Sequence, residues 1–144
     1  MNFEIERPSE ILIKSKIKPS HQRIKIYEYL ASHFTHPTAD KIFYELKKEM
    51  PTLSRSTIYS TLKVFVAAKL IREITIEDNE IRYEFNIQNH GHFKCEKCDT
   101  IYDFNINIDD FISDELNGFQ INDKNVYFKG ICKKCLEFKM GSYR

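Results

Sequence analysis

The chain lacks a charge excess, lacks a long apolar run, and has no cysteine before residue 95. Lys and Arg number 22 against 21 Asp and Glu, a formal net charge of +1. That balance excludes a polybasic coat, so any nucleic-acid binding has to come from a local patch. No stretch approaches the roughly 18 consecutive apolar residues of a membrane span. Near the start, Glu4, Glu6, Arg7, Glu10, Lys14 and Lys16 leave no apolar segment of the kind a secretion signal carries. Internal repeats and low-complexity linkers are also missing. A cytoplasmic protein with no membrane partner is expected. In that compartment cysteines are metal ligands more often than disulfides.

What is present is 144 residues, 42% of them apolar, enough for one medium domain or two small ones. Helical patterns dominate the first part. Segment 8–17 is amphipathic and ends before Lys18-Pro19. Segment 21–34 has Ser20 as its N-cap and Ile24, Tyr27, Ala31 and Phe34 at helical spacing. Thr38 caps a third helix to about Met50, with Ile42, Phe43 and Leu46 inward, and Ser54 caps a fourth over 55–69. In the fourth, Ile58, Leu62 and Phe65 form one apolar stripe. Alternating segments 72–76 and 81–85, joined by 77–80, read as an antiparallel hairpin. Helices followed by such a hairpin make a winged helix-turn-helix.

After residue 86 the pattern predicts strands at 92–95 and 101–105, a helix at 108–116 and a strand at 126–131. The expected class is therefore α+β. A winged helix-turn-helix domain (1–86) precedes a small α/β domain (87–144), whose thin core a structural metal would support.

Cys95, Cys98, Cys132 and Cys135 form two C-x-x-C pairs, each following a predicted strand. A C-x-x-C turn offers two thiolates to one tetrahedral ion, and two pairs close the shell. Four sulfurs with no position for water point to structural zinc rather than catalytic zinc. The alternative is a pair of disulfides or four buried thiols. His90 and His92, two apart, face the same way on a strand and suit a second ion. His36, Glu84 and Asp103 are candidates to complete that set. Mixed nitrogen and oxygen donors suit Fe(II), Mn(II), Zn(II) or Co(II). On spacing alone, surface histidines and solvated carboxylates remain the competing reading.

Arg55, Ser56, Tyr59, Ser60 and Lys63 lie on an arc of the fourth helix away from the apolar stripe. Such an arc suits the major groove, with Lys14 and Lys16 adding phosphate contacts. An ordinary solvated face, or a protein-binding winged helix, is the rival.

The motifs together resemble the ferric uptake regulator family of bacterial metal-dependent repressors. The matching stretches are His36-Pro37-Thr38-Ala39-Asp40, Ser54-Arg55-Ser56-Thr57-Ile58-Tyr59 and Arg82-Tyr83-Glu84-Phe85, then the run from His90 to Cys98, and Ile101-Tyr102-Asp103-Phe104. The resemblance implies a homodimer on double-stranded operator DNA, with an N-terminal DNA-binding domain and a C-terminal dimerisation domain. It implies structural Zn2+ on the four cysteines and regulatory Fe2+ or Mn2+ on His36, Glu84, His90, His92 and Asp103. Tyr59 matches the family's DNA-contacting tyrosine.

Asp103 resembles the peroxide-sensing branch, whereas Glu84 resembles the iron-uptake regulators. In the peroxide branch, iron-driven oxidation of a ligating imidazole, here His36 or His90, lifts repression. Such oxidation is self-modification, so an enzyme with a small organic substrate is not expected. The alternatives are an iron-responsive repressor, a zinc- or manganese-responsive relative and a protein-binding zinc module. A metal-dependent hydrolase, from a different class, would need a general base that the sequence does not offer.

Overall fold

The computed structural model describes residues 6–33, 35–77, 79–85 and 90–141. The chain divides into two compact units, Met1–Ile87 and Gln88–Arg144. The expected boundary at 86–87 falls outside the described residues, as do Phe34 of the second predicted helix and Asp78 of the predicted hairpin turn.

The first unit holds four helices, α1 (Pro8–Lys14), α2 (His21–Ser32), α3 (Ala39–Lys47) and α4 (Arg55–Ala67), and then β1 (Arg72–Ile74) and β2 (Arg82–Glu84). Three of the helices start where the sequence places a cap. The hydroxyls of Ser20, Thr38 and Ser54 accept from the backbone N–H of Arg23, Lys41 and Thr57, satisfying donors that a helix start leaves open. The helices are shorter than predicted. α1 stops at Lys14 because Lys16 turns the chain with a left-handed φ of 61°, and Lys16 therefore lies beyond the helix. α3 stops at Lys47, and Met50 is buried after the turn that follows.

The stripe of α4 is inward as expected. Ile58, Leu62 and Phe65 join Leu12, Ile26, Leu30 and Ile42 in one apolar core. Phe43 is only partly buried, because its ring carries the cations of Lys47 and Arg55 at 5.0 and 4.8 Å. β1 and β2 pair antiparallel, with Arg72 opposite Glu84. Each is shorter than the predicted strand.

The second unit is a three-stranded sheet in the order β4-β3-β5, with β3 (His90–Cys95) central. β4 (Ile101–Asn105) runs antiparallel to it and β5 (Tyr127–Gly130) parallel. The parallel pair needs a long crossover. That crossover contains two 3-10 turns, Ile108–Asp110 and Asp114–Leu116, where a single helix over 108–116 was expected. Of its apolar residues, Ile108 is buried whereas Phe111 and Ile112 are exposed, so no continuous apolar stripe holds a helix against the sheet. A final helix, α5 (Lys133–Gly141), follows β5 and was not foreseen. Among the described residues no helix is long and apolar enough to cross a membrane.

Candidate metal centres and nucleic-acid surface

The four cysteines are brought together by two local devices. Cys95 ends β3, and the turn after it closes with the Asp99 N–H donating to the Cys95 carbonyl at 3.0 Å. Asp99 takes a left-handed φ of 64°, and the Lys94 ammonium donates to its carbonyl at 3.1 Å, which brings Cys98 back toward Cys95. Cys132 immediately precedes α5, and Cys135 lies one helical turn further on, on the same side.

All four sulfurs lie within 4.8 Å of one another, with Cys95 to Cys135 and Cys98 to Cys132 both 3.8 Å. A tetrahedral ion with metal–sulfur bonds of about 2.3 Å requires sulfur separations of about 3.8 Å. The set therefore fits zinc. Its electrostatics agree. Backbone N–H groups, that of Cys98 first, hold the Cys95 thiol down to about 6, while crowding by Cys132 and the other sulfurs pushes Cys135 up to about 12. A divalent cation removes that conflict by sharing the charge.

In the first unit, His36 and Glu84 are both buried and meet at 3.4 Å, Nε2 to Oε2. The Thr35-His36-Pro37 bend is docked on β2. Arg82 Nη1 donates to the His36 carbonyl at 3.2 Å, and the Tyr83 N–H donates to the Pro37 carbonyl at 2.9 Å. His36 itself sits at φ 55°, a left-handed conformation uncommon outside glycine but one that histidine adopts more readily than most residues. Glu77 steadies the Arg82 guanidinium. Arg82 and Glu77 escaped the sequence reading, because only the pairing of the bend with β2 reveals their role.

In the second unit, His90 and His92 share one face of β3, and the β3–β4 register sets Asp103 opposite His92. The two Nε2 atoms are 3.1 Å apart, and Asp103 Oδ1 is 3.4 Å from His92 and 3.9 Å from His90. Ligands of one ion at about 2.1 Å stand roughly 3.0 to 3.4 Å apart, so three of these donors are close to a metal-binding geometry. Both imidazoles are buried, whereas the Asp103 side chain is 48% exposed. On the opposite face Gly91 lies under the Phe104 ring.

On α4, Ser56, Tyr59, Ser60 and Lys63 are exposed, as a groove-reading face requires. Two of the expected DNA-binding cations are engaged within the unit. Lys14 pairs with Glu6, and Arg55 pairs with Asp40 while stacking on Phe43. Both pairs are largely exposed, so solvent screens them and each contributes little to stability.

The sequence profile of the Ferric uptake regulator family matches residues 14–136. A peroxide-responsive repressor, PerR, of Staphylococcus epidermidis is 34% identical over 140 residues, covering 95% of this chain and 93% of its own. Among solved structures, PerR from Streptococcus pyogenes matches at TM-score 0.52 and 29% identity, over 91% of this chain and 94% of its own. The Helicobacter pylori ferric uptake regulator matches in fold at TM-score 0.70 and 20% identity, over 90% and 89% of the two chains.

Proposed function

The chain belongs to the ferric uptake regulator family of metal-dependent repressors, and from that premise we propose that it is a peroxide-responsive repressor. Members of the family are dimeric DNA-binding regulators. In this reading residues 1–86 bind operator DNA and residues 87–144 bind metal and dimerise. The protein acts in the cytoplasm. Tyr59, Ser56, Ser60 and Lys63 read the major groove, and Arg55, Lys14 and Lys16 reach phosphates. Exposed Phe111, Ile112 and Phe119 in the second unit support an interface with a second copy.

Cys95, Cys98, Cys132 and Cys135 hold structural zinc. His36, Glu84, His90, His92 and Asp103 together hold the regulatory ion, iron(II) or manganese(II), which ties the two units in the DNA-binding arrangement. An ion bound only in that arrangement shifts the population by its differential affinity and no more. Iron(II) held by these residues would activate peroxide by lending an electron that it regains, so the ligating imidazole would be the group oxidised. In net terms one peroxide oxygen enters a ring C–H of His36 or His90 and the other leaves as water. The modified imidazole ceases to be a ligand, and DNA is released.

The observation that carries this reading is the cluster of His90, His92 and Asp103, with an aspartate as its carboxylate. Glu84 favours a second reading, an iron-responsive repressor that shares the fold and the ligands. Peptide mass spectrometry separates them. Protein loaded with Fe(II) or with Mn(II) is exposed to low peroxide while operator binding is followed. Oxygen added at His36 or His90 in the iron form alone, with loss of DNA binding, is expected. Unmodified histidines with DNA binding that tracks iron supply would establish the second reading instead.

A further inference from the structure

Strand β2 meets one residue, His36, at two points. Residues two apart on a strand share a face, so Arg82 and Glu84 project together. Glu84 meets the imidazole, Oε2 to Nε2 at 3.4 Å, and Arg82 Nη1 donates to the His36 carbonyl at 3.2 Å. The ring is met by one side chain and the backbone by the other. All three residues lie in the first unit.

The hold on the backbone matters because the next residue opposes the conformation. The proline ring drives the residue before it toward extended backbone, with φ about −120°. His36 precedes Pro37 and yet sits at φ 55°. Such a backbone persists where the surroundings over-determine it. Two main-chain contacts hold the residues that follow. The Tyr83 N–H donates to the Pro37 carbonyl at 2.9 Å, and Thr38 pairs with Arg82 in an antiparallel bridge. The guanidinium reaches one residue further back. The His36 carbonyl lies in the peptide plane shared with Pro37, so holding it fixes the ψ rotation of His36 and the direction of its side chain.

The guanidinium is itself oriented. Glu77, which stands between β1 and β2, accepts from Arg82 Nε and leaves Nη1 aimed at the bend. The two side chains are only 24% and 19% exposed, so solvent screens this pair less than one on the surface. The donors of an arginine form a rigid fork, which lets one group hold a carboxylate and a carbonyl in fixed relation. We propose that Arg82, oriented by Glu77, is a positioning residue that presets His36 for the regulatory ion. The inference rests on the reading of His36 as a ligand of that ion. Arg82 acts through the histidine: with the bend already ordered, less conformational freedom is lost when the ion binds. The same contacts tie the ligand to the hairpin of the winged helix, since Glu77 and Arg82 both belong to it.

Arg82→Met keeps the length of the side chain and removes the fork. The full chain, loaded with zinc, is titrated with Mn(II), and free Mn(II) is followed by electron paramagnetic resonance. Parent, Arg82→Met, His36→Ala and the double variant are compared at a temperature where all four give the parental far-UV circular dichroism. Arg82→Met is expected to weaken Mn(II) binding about tenfold, the lower end of what losing an outer partner of a metal ligand costs. In the His36→Ala background the same substitution is expected to change nothing, because the residue it acts through is gone. Should Arg82→Met fail to fold, Glu77→Gln with Arg82→Met removes the carboxylate together with its cation, and the same pair of results is expected.

A merely structural role would lower stability and leave this coupling at zero. Parental Mn(II) affinity in Arg82→Met overturns the inference alone. So does an equal loss with and without His36, which would place the effect elsewhere in the unit. A parent chain that binds no Mn(II), or one whose affinity His36→Ala leaves unchanged, overturns the reading of His36 as a ligand, and the inference with it.

Discussion

Gly91→Ala tests how the paired histidines are held. A Cβ at this position would lie 2.3, 2.5 and 2.9 Å from three atoms of the Phe104 ring. Carbon atoms settle at about 3.5 to 4.0 Å, so the nearest contact is more than about 1 Å too short. The ring cannot yield without loss, since it is stacked on Phe128 at 5.1 Å with planes 22° apart. Overpacking of this kind costs about 1 to 3 kcal/mol. Replacing glycine in a strand returns roughly 0.5 to 1 kcal/mol of backbone entropy. The second unit should therefore lose about 0.5 to 2 kcal/mol, and the Tm should fall by roughly 4 to 8 °C for each kcal/mol lost.

The disturbance falls between His90 and His92 on β3 and beside Asp103 on β4, so Mn(II) affinity should weaken as well. Thermal melts of the zinc-loaded protein and Mn(II) titrations measure the two effects. Phe104→Leu in the Gly91→Ala background should recover most of the loss. An unchanged Tm for Gly91→Ala, or losses that merely add in the double variant, would refute the steric account.

Three further outcomes are expected. Leu62→Ala, at a fully buried position of the first unit's core, should destabilise that unit by about 2 to 5 kcal/mol in urea unfolding; a loss under about 1 kcal/mol would mean the site collapses around the gap. Ser54→Ala removes the acceptor for the Thr57 N–H at the start of α4 and should cost about 1 kcal/mol, with operator affinity weakened as the helix start frays; parental stability and affinity would show that water replaces the cap without loss. Asp103→Glu adds a methylene to a side chain that is 48% exposed and has room to extend, so Mn(II) binding should persist while peptide mass spectrometry finds less oxygen at His36 and His90 in the iron form; equal oxidation would show that the aspartate is not what favours peroxide.

What the sequence discloses is what is decided within a few residues. Ser20, Thr38 and Ser54 are recognisable as caps because the capping bond is local, and the inward stripe of α4 is recognisable because it repeats every turn. Helix ends are not local in this sense. α1 ends at a left-handed Lys16 that no residue type announces. The crossover segment carries apolar residues at helical spacing, yet forms two 3-10 turns, the first capped by the Asn107 side chain on the Asp109 N–H. α5 was hidden because its first turn was read only as a cysteine motif.

The metal sites divide in the same way. Residue types and short spacings single out the four cysteines and the His90–His92 pair. The facing of Asp103 on His92, by contrast, exists only through the β3–β4 register. That register is fixed by the tight turn after Cys95, and the same turn delivers Cys98 to the sulfur cluster. One turn thus aligns a carboxylate with its histidines and a thiolate with its partners. Disorder at the cysteines would therefore propagate along β4 to Asp103, so the integrity of the sulfur cluster and the alignment of the carboxylate with His92 stand or fall together.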